Sequence, residues 1–68
     1  QALAAALAEL SVEHRSALEL VFYQALTLAE AAQVCGCPVG TIKSRLSYAK
    51  ARVRDSLERA GIGAEDLL

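Results

Sequence analysis

Between Pro38 and Arg54 the chain carries five basic side chains, Lys43, Arg45, Lys50, Arg52 and Arg54, and no acid. Hydroxyl donors are interleaved with them: Thr41, Ser44, Ser47 and the phenol of Tyr48. Long cations pair with phosphate oxygens and guanine edges, whereas short donors reach base edges only if the backbone comes close. The pattern suits a surface for nucleic acid. Lys43, Ser44, Ser47 and Tyr48 are placed to approach bases, and Thr41, Arg45, Lys50 and Arg52 to hold phosphates. A basic helix face that is merely solvated would show the same charges.

Other chemistries find little support. Zinc asks for about four ligands at suitable spacing, and beside Cys35 and Cys37 the only other soft candidate is His14. No metal or cofactor site is therefore expected. A bridge between Cys35 and Cys37 would close a very tight, strained loop. Cys35 reads as a small core residue and Cys37 as a turn residue, with a thiol switch as the other reading. His14 reads as a partly exposed residue of a helix. The acids are scattered, and no nucleophile has a base partner at a recognisable spacing, so an enzyme is not expected.

Sixty-eight residues make one small domain, which buries only roughly 60% of its unfolded surface. A 54% hydrophobic and 22% charged composition argues against disorder, although 14 alanines inflate the apolar share. The net charge of −1 and pI near 5.7 stand at first against nucleic acid. By segment, however, residues 1–37 carry −3, residues 38–60 carry +4 and the tail 61–68 carries −2. The near-neutral total conceals a basic element on an acidic scaffold. Such a domain is expected to bind DNA weakly alone and to leave its acidic, apolar remainder for protein partners.

No apolar run approaches the roughly 20 residues of a membrane span, so no membrane contact is expected, and no targeting peptide is evident. Sparse cysteine usage suits a reducing, cytoplasmic setting. Methionine is absent, position 1 included, so a piece of a longer chain is expected.

These side chains need elements to position them. Leu3, Leu7 and Leu10 recur at helical spacing and predict a short first helix. Ser11 suits an N-cap with Glu13 at the positive end of a second helix, which runs to about Gln24 or Ala25 on a stripe of Ala17 or Leu18, Val21, Phe22 and Ala25. Phe22 and Tyr23 are expected in the core and at its edge. Thr27-Leu28-Ala29-Glu30 matches a capping box, opening a third helix over about Leu28 to Cys35. Gly36 stops it and Pro38 starts a fourth that ends near Arg59. The fold class is all-α: a four-helix DNA-binding domain with a C-terminal helix-turn-helix, occupying residues 1–68.

Within it, Ala32 is small enough for a close crossing, Gly36 tolerates positive φ in the turn, and Ile42 anchors the second helix against the first. Ile42, Leu46, Ala49, Val53 and Leu57 recur as one buried stripe. The opposite face then carries Gly40, Lys43, Ser44, Ser47, Tyr48 and Ala51, with Arg45 and Arg52 on its flanks. Leu20, Leu26 and Leu28 exceed what so small a core can cover and are candidates for a partner surface, unless they simply fill that core.

Four stretches carry a resemblance: Leu10-Ser11-x-x-His14-Arg15; Leu26-Thr27-x-x-Glu30-Ala31-Ala32; Gly36-Cys37-Pro38-Val39-Gly40-Thr41-Ile42-Lys43-Ser44-Arg45-Leu46; and Ala49-Lys50 with Val53-Arg54. Over roughly residues 10 to 58 the chain resembles the C-terminal, promoter-reading domain (region four) of extracytoplasmic-function sigma factors. The resemblance implies binding of the promoter −35 element by the helix-turn-helix. It also implies docking on the β flap of RNA polymerase core, control by an anti-sigma factor and a −10-reading domain upstream. Ser11 stands where proline is common, and the residues near Leu28 and Ala29 depart from the family's aromatic or charged preference. Ser47 and Tyr48 occupy the positions that vary most with promoter sequence.

Two other readings remain open at this level. One is the output domain of a response regulator, which uses a similar four-helix unit; the Ser-Arg-Leu and Ala-Lys-x-x-Val-Arg continuation favours sigma. The other is a helical protein-interaction domain whose basic helix meets an acidic partner.

Overall fold

A computed structural model describes residues 2–61. The acidic tail with Glu65 and Asp66 lies outside the described residues. Alanine-rich sequence forms α1 (Ala2–Ala8), because alanine loses the least side-chain entropy in a helix. Glu9 and Leu10 donate to the Ala6 and Leu7 carbonyls at 3.2 and 3.1 Å and close a tight last turn. The expected apolar stripe holds: Leu10 is buried, and Leu3 and Leu7 pack against the core.

Ser11 caps α2 (Val12–Leu18), its hydroxyl accepting from the His14 backbone at 3.4 Å. The helix then widens into a π-helical stretch, Glu19–Tyr23, in which Gln24 donates to Glu19 five residues back at 3.0 Å. This widening changes which side chains face inward. Leu18 is buried and Leu20 and Val21 pack on the core, but Phe22 and Tyr23 are 54% and 62% exposed. The expectation that Phe22 lies in the core and Tyr23 at its edge is therefore corrected. The wider π-helical turn shifts the helical register, so a stripe counted at 3.6 residues fails beyond Val21. Ala25, expected on that stripe, is exposed and leaves the helix at φ +57.

The capping box opens α3 (Leu28–Cys35). Glu30 N–H donates to the Thr27 hydroxyl at 3.1 Å, and Thr27 N–H donates back to the Glu30 carboxylate at 2.8 Å. The Thr27 backbone N–H on the carboxylate, and then the Thr27 hydroxyl, hold the Glu30 carboxyl below its ordinary value. Gly36 takes φ +66, and Gly36 and Cys37 donate to Gln33 and Ala32 at 3.3 and 3.0 Å. These are the two bonds of a Schellman stop. Pro38 sits at the N-cap of α4 (Val39–Arg59).

Every residue of the expected α4 stripe, Ile42, Leu46, Ala49, Val53 and Leu57, is buried, and α1, α2 and α3 each pack against this helix. Five of the eleven core residues are alanines, which lets the backbones approach closely in place of bulky interdigitation. The described residues form helices without strands, the all-α architecture read from the sequence. None of these helices is long and apolar enough to cross a membrane.

Candidate nucleic-acid interface

The helix-turn-helix is assembled as its residues require. Ala32 is 5% exposed on α3, Gly36 turns the chain in the left-handed conformation, and Ile42 and Leu46 are buried on α4. Burying that stripe decides by exclusion what α4 shows to solvent. Gly40, Lys43, Ser44, Ser47, Tyr48, Lys50 and Arg52 are exposed, and Thr41, Arg45 and Ala51 are half-buried.

Seven residues are close to two helical turns, and this spacing sorts the cations into two edges. Lys43, Lys50 and Arg54 follow one edge; Arg45, Arg52 and Arg59 follow the other. Between them run Gly40, Ser44, Ser47, Tyr48 and Ala51, a strip of small side chains carrying two hydroxyls and one phenol. In the last two turns Asp55 and Glu58 enter this strip. Carboxylates there repel phosphate, so the surface fit for DNA stops short of the last two turns of α4.

Several of these side chains are already engaged. Arg45 Nη1 points to Cys37 Sγ at 3.9 Å. Lys50 Nζ stands 4.8 Å from the Phe22 ring centroid, a cation–π placement made possible by the outward rotation of that ring. Tyr48 lies against His14, with ring centroids 4.4 Å apart. The Glu9 carboxylate faces Arg52 at 4.0 Å and Arg59 at 3.2 Å and accepts from Ser56 at 3.0 Å. Among the described residues, Lys43, Ser44, Ser47 and Arg54 have no side-chain partner. Arg54 and Arg59 are recognisable from their spacing, eleven residues from Lys43 and seven from Arg52; nothing local in the sequence announces Glu9 or His14.

The apolar candidates are redistributed. Leu20, Leu26 and Leu28 are all half-buried, with Leu20 and Leu28 packed on the core. The large apolar side chains left exposed are instead Val12, Phe22, Tyr23, Val34 and Val39, together with Tyr48. Cys35 and Cys37 are half-buried free thiols. Among the described residues no three His, Cys, Asp or Glu side chains converge as a metal site would require.

Comparison with known proteins adds an independent finding. The family described as Sigma-70, region 4 matches residues 1–53. The chain is 51% identical over 51 residues to the probable RNA polymerase sigma-C factor of Mycobacterium bovis, an alignment covering 75% of this chain and 25% of that protein. It is 40% identical over 60 residues to the ECF RNA polymerase sigma factor SigL of Mycobacterium tuberculosis, covering 88% of this chain and 34% of that one. With the ECF RNA polymerase sigma factor EcfG of Rhodopseudomonas palustris it shares 45% identity over 49 residues, 72% of this chain and 27% of the relative. The matched part thus spans about a quarter to a third of the length of these relatives.

Proposed function

The chain belongs to the sigma-70 region 4 family, and on that premise we propose that it is the promoter-reading domain of an alternative sigma factor, with α4 recognising the −35 element. The observation that carries this is the exposed face of α4: two cationic edges flanking a strip of small side chains and hydroxyl donors. An α-helix fits the major groove of B-DNA, where each base pair shows a distinct set of donors and acceptors. Gly40, Ser44 and Ser47 let the helix sit deep. Lys43, Ser44, Ser47 and Tyr48 then address base edges, while Thr41, Arg45, Lys50 and Arg52 neutralise phosphates on either side. The action is recognition, and no bond is made or broken.

Within that reading the protein works at the promoter, in the cytoplasm, on RNA polymerase core, docking on its β flap, and an anti-sigma factor holds it in check. The exposed Phe22 and Tyr23 supply apolar area for such protein contacts, and the acidic scaffold keeps α1 to α3 away from DNA phosphates.

The test is binding of the chain to a −35 duplex across a salt series. Phosphate neutralisation makes affinity fall linearly on a log–log plot, by about 0.9 per phosphate contact. Lys43→Ala and Arg45→Ala should each weaken binding about tenfold and reduce promoter-dependent transcription, with the melting temperature unchanged. Binding that is flat across salt, or transcription untouched by both substitutions, would favour a protein-interaction role for the basic helix.

A further inference from the structure

His14 belongs to α2, outside the helix-turn-helix, yet its ring stands against the ring of Tyr48 at 4.4 Å between centroids with the planes tilted by 39°. Tyr48 is 51% exposed and occupies the donor strip of α4. An exposed tyrosine on a helix samples several rotamers, and each must be given up when the ring docks. A ring packed against one face removes much of that freedom before DNA arrives. The imidazole is itself held. Ser11 Oγ is hydrogen-bonded to His14 Nδ1 while accepting from the His14 backbone N–H at 3.4 Å. One hydroxyl thus engages both the backbone and the ring of His14. The cap of α2 is thereby tied, through one imidazole, to the reading surface of α4.

We infer that His14 is a positioning residue for base reading: it presets the Tyr48 ring, so that the selectivity of α4 depends on the capped first turn of α2. The inference rests on the proposed −35 reading and goes one residue further. The Ser11 hydroxyl caps α2 and holds the His14 ring at once.

The experiment is selection from a pool of duplexes randomised across the −35 element, using the chain and its His14→Ala, His14→Phe, Tyr48→Ala and His14→Ala/Tyr48→Ala forms, each checked for an unchanged helical melt. His14→Ala should flatten base preference at the positions that Tyr48→Ala flattens and at no others, lowering affinity for the best duplex about threefold to tenfold. His14→Phe, which keeps a ring against Tyr48, should restore part of that preference. The double variant should bind no worse than Tyr48→Ala alone, because both remove one unit. A uniform loss over all sequences with preference intact, or additive effects in the double variant, would show that His14 only packs and would overturn the inference. An unmutated chain that selects no sequence would overturn the −35 reading itself, an outcome visible before any variant is compared.

Discussion

Glu9 and Arg59 stand 50 positions apart in the chain and meet at 3.2 Å. The same carboxylate accepts from Ser56 at 3.0 Å and faces Arg52 at 4.0 Å, so the end of α1 is pinned to the C-terminal half of α4. The Arg52 and Glu9 side chains are 46% and 41% exposed, and solvent screens pairs of that kind to about 1 kcal/mol or less. The consequence for function is larger than that for stability. Glu9 competes with phosphate for Arg52, one of the residues proposed to hold the DNA backbone.

Replacing Glu9 with Gln should therefore tighten duplex binding and steepen its salt dependence by about one phosphate contact, while unfolding shifts by about 1 kcal/mol or less. Paired salt titrations and denaturant melts measure both. An unchanged salt slope would mean that Arg52 stays off the DNA.

Two positions share a left-handed backbone but not a residue type. Ala25 has φ +57 and Gly36 has φ +66, and an L side chain in this region costs roughly 1–2 kcal/mol. Ala25→Gly should relieve that strain, offset in part by the entropy glycine adds to the unfolded chain, and raise stability by about 0.5 kcal/mol. Gly36→Ala should lower it by about 1 kcal/mol. Open space surrounds the Cβ position at Gly36, so its cost comes from the backbone alone. Urea unfolding of both variants tests the pair; equal signs would contradict the assignment.

Acid should loosen α3 first at its start. The Glu30 carboxyl is held below its ordinary 4.5 by the Thr27 backbone N–H and then by the Thr27 hydroxyl. A depressed carboxyl contributes stability at pH values above 4.5 and loses it as the pH falls through the folded-state value. Melting temperatures of Glu30→Ala and the unmutated chain should thus differ at pH 7 and draw together as the pH falls through the folded-state value of Glu30. Thr27→Ala, which removes the cap hydroxyl, should cost about 1 kcal/mol at neutral pH.

The α3–turn–α4 unit was legible because each of its decisions is made within a few residues. The Thr27–Glu30 box, the Gly36 stop, the Pro38 start and the spacing from Ile42 to Leu57 need no distant partner. The same holds for the split of α4 into a buried stripe and a cationic face, which is helix periodicity applied to residue type. The stripe of the second helix departs from the structure beyond Val21, because a 3.6-residue period does not hold across a π-helical stretch. Phe22 consequently moved from core to surface, and Leu20 and Leu28 were drawn against the core.

By itself, then, the amino-acid sequence determined the helices, their stops and the chemical character of the reading face, because capping and periodicity act locally. Only the tertiary structure decided which of those cations are free. Lys43 and Arg54 have no partner among the described residues, Lys50 rests over Phe22, and Arg52 answers Glu9. The physical reason lies in the core. Packing on alanines brings α1 and α2 close against α4, and that proximity carries the Glu9 carboxylate and the His14 ring to its surface. No spacing rule along the chain encodes such an approach, since it depends on how three helices share one buried stripe.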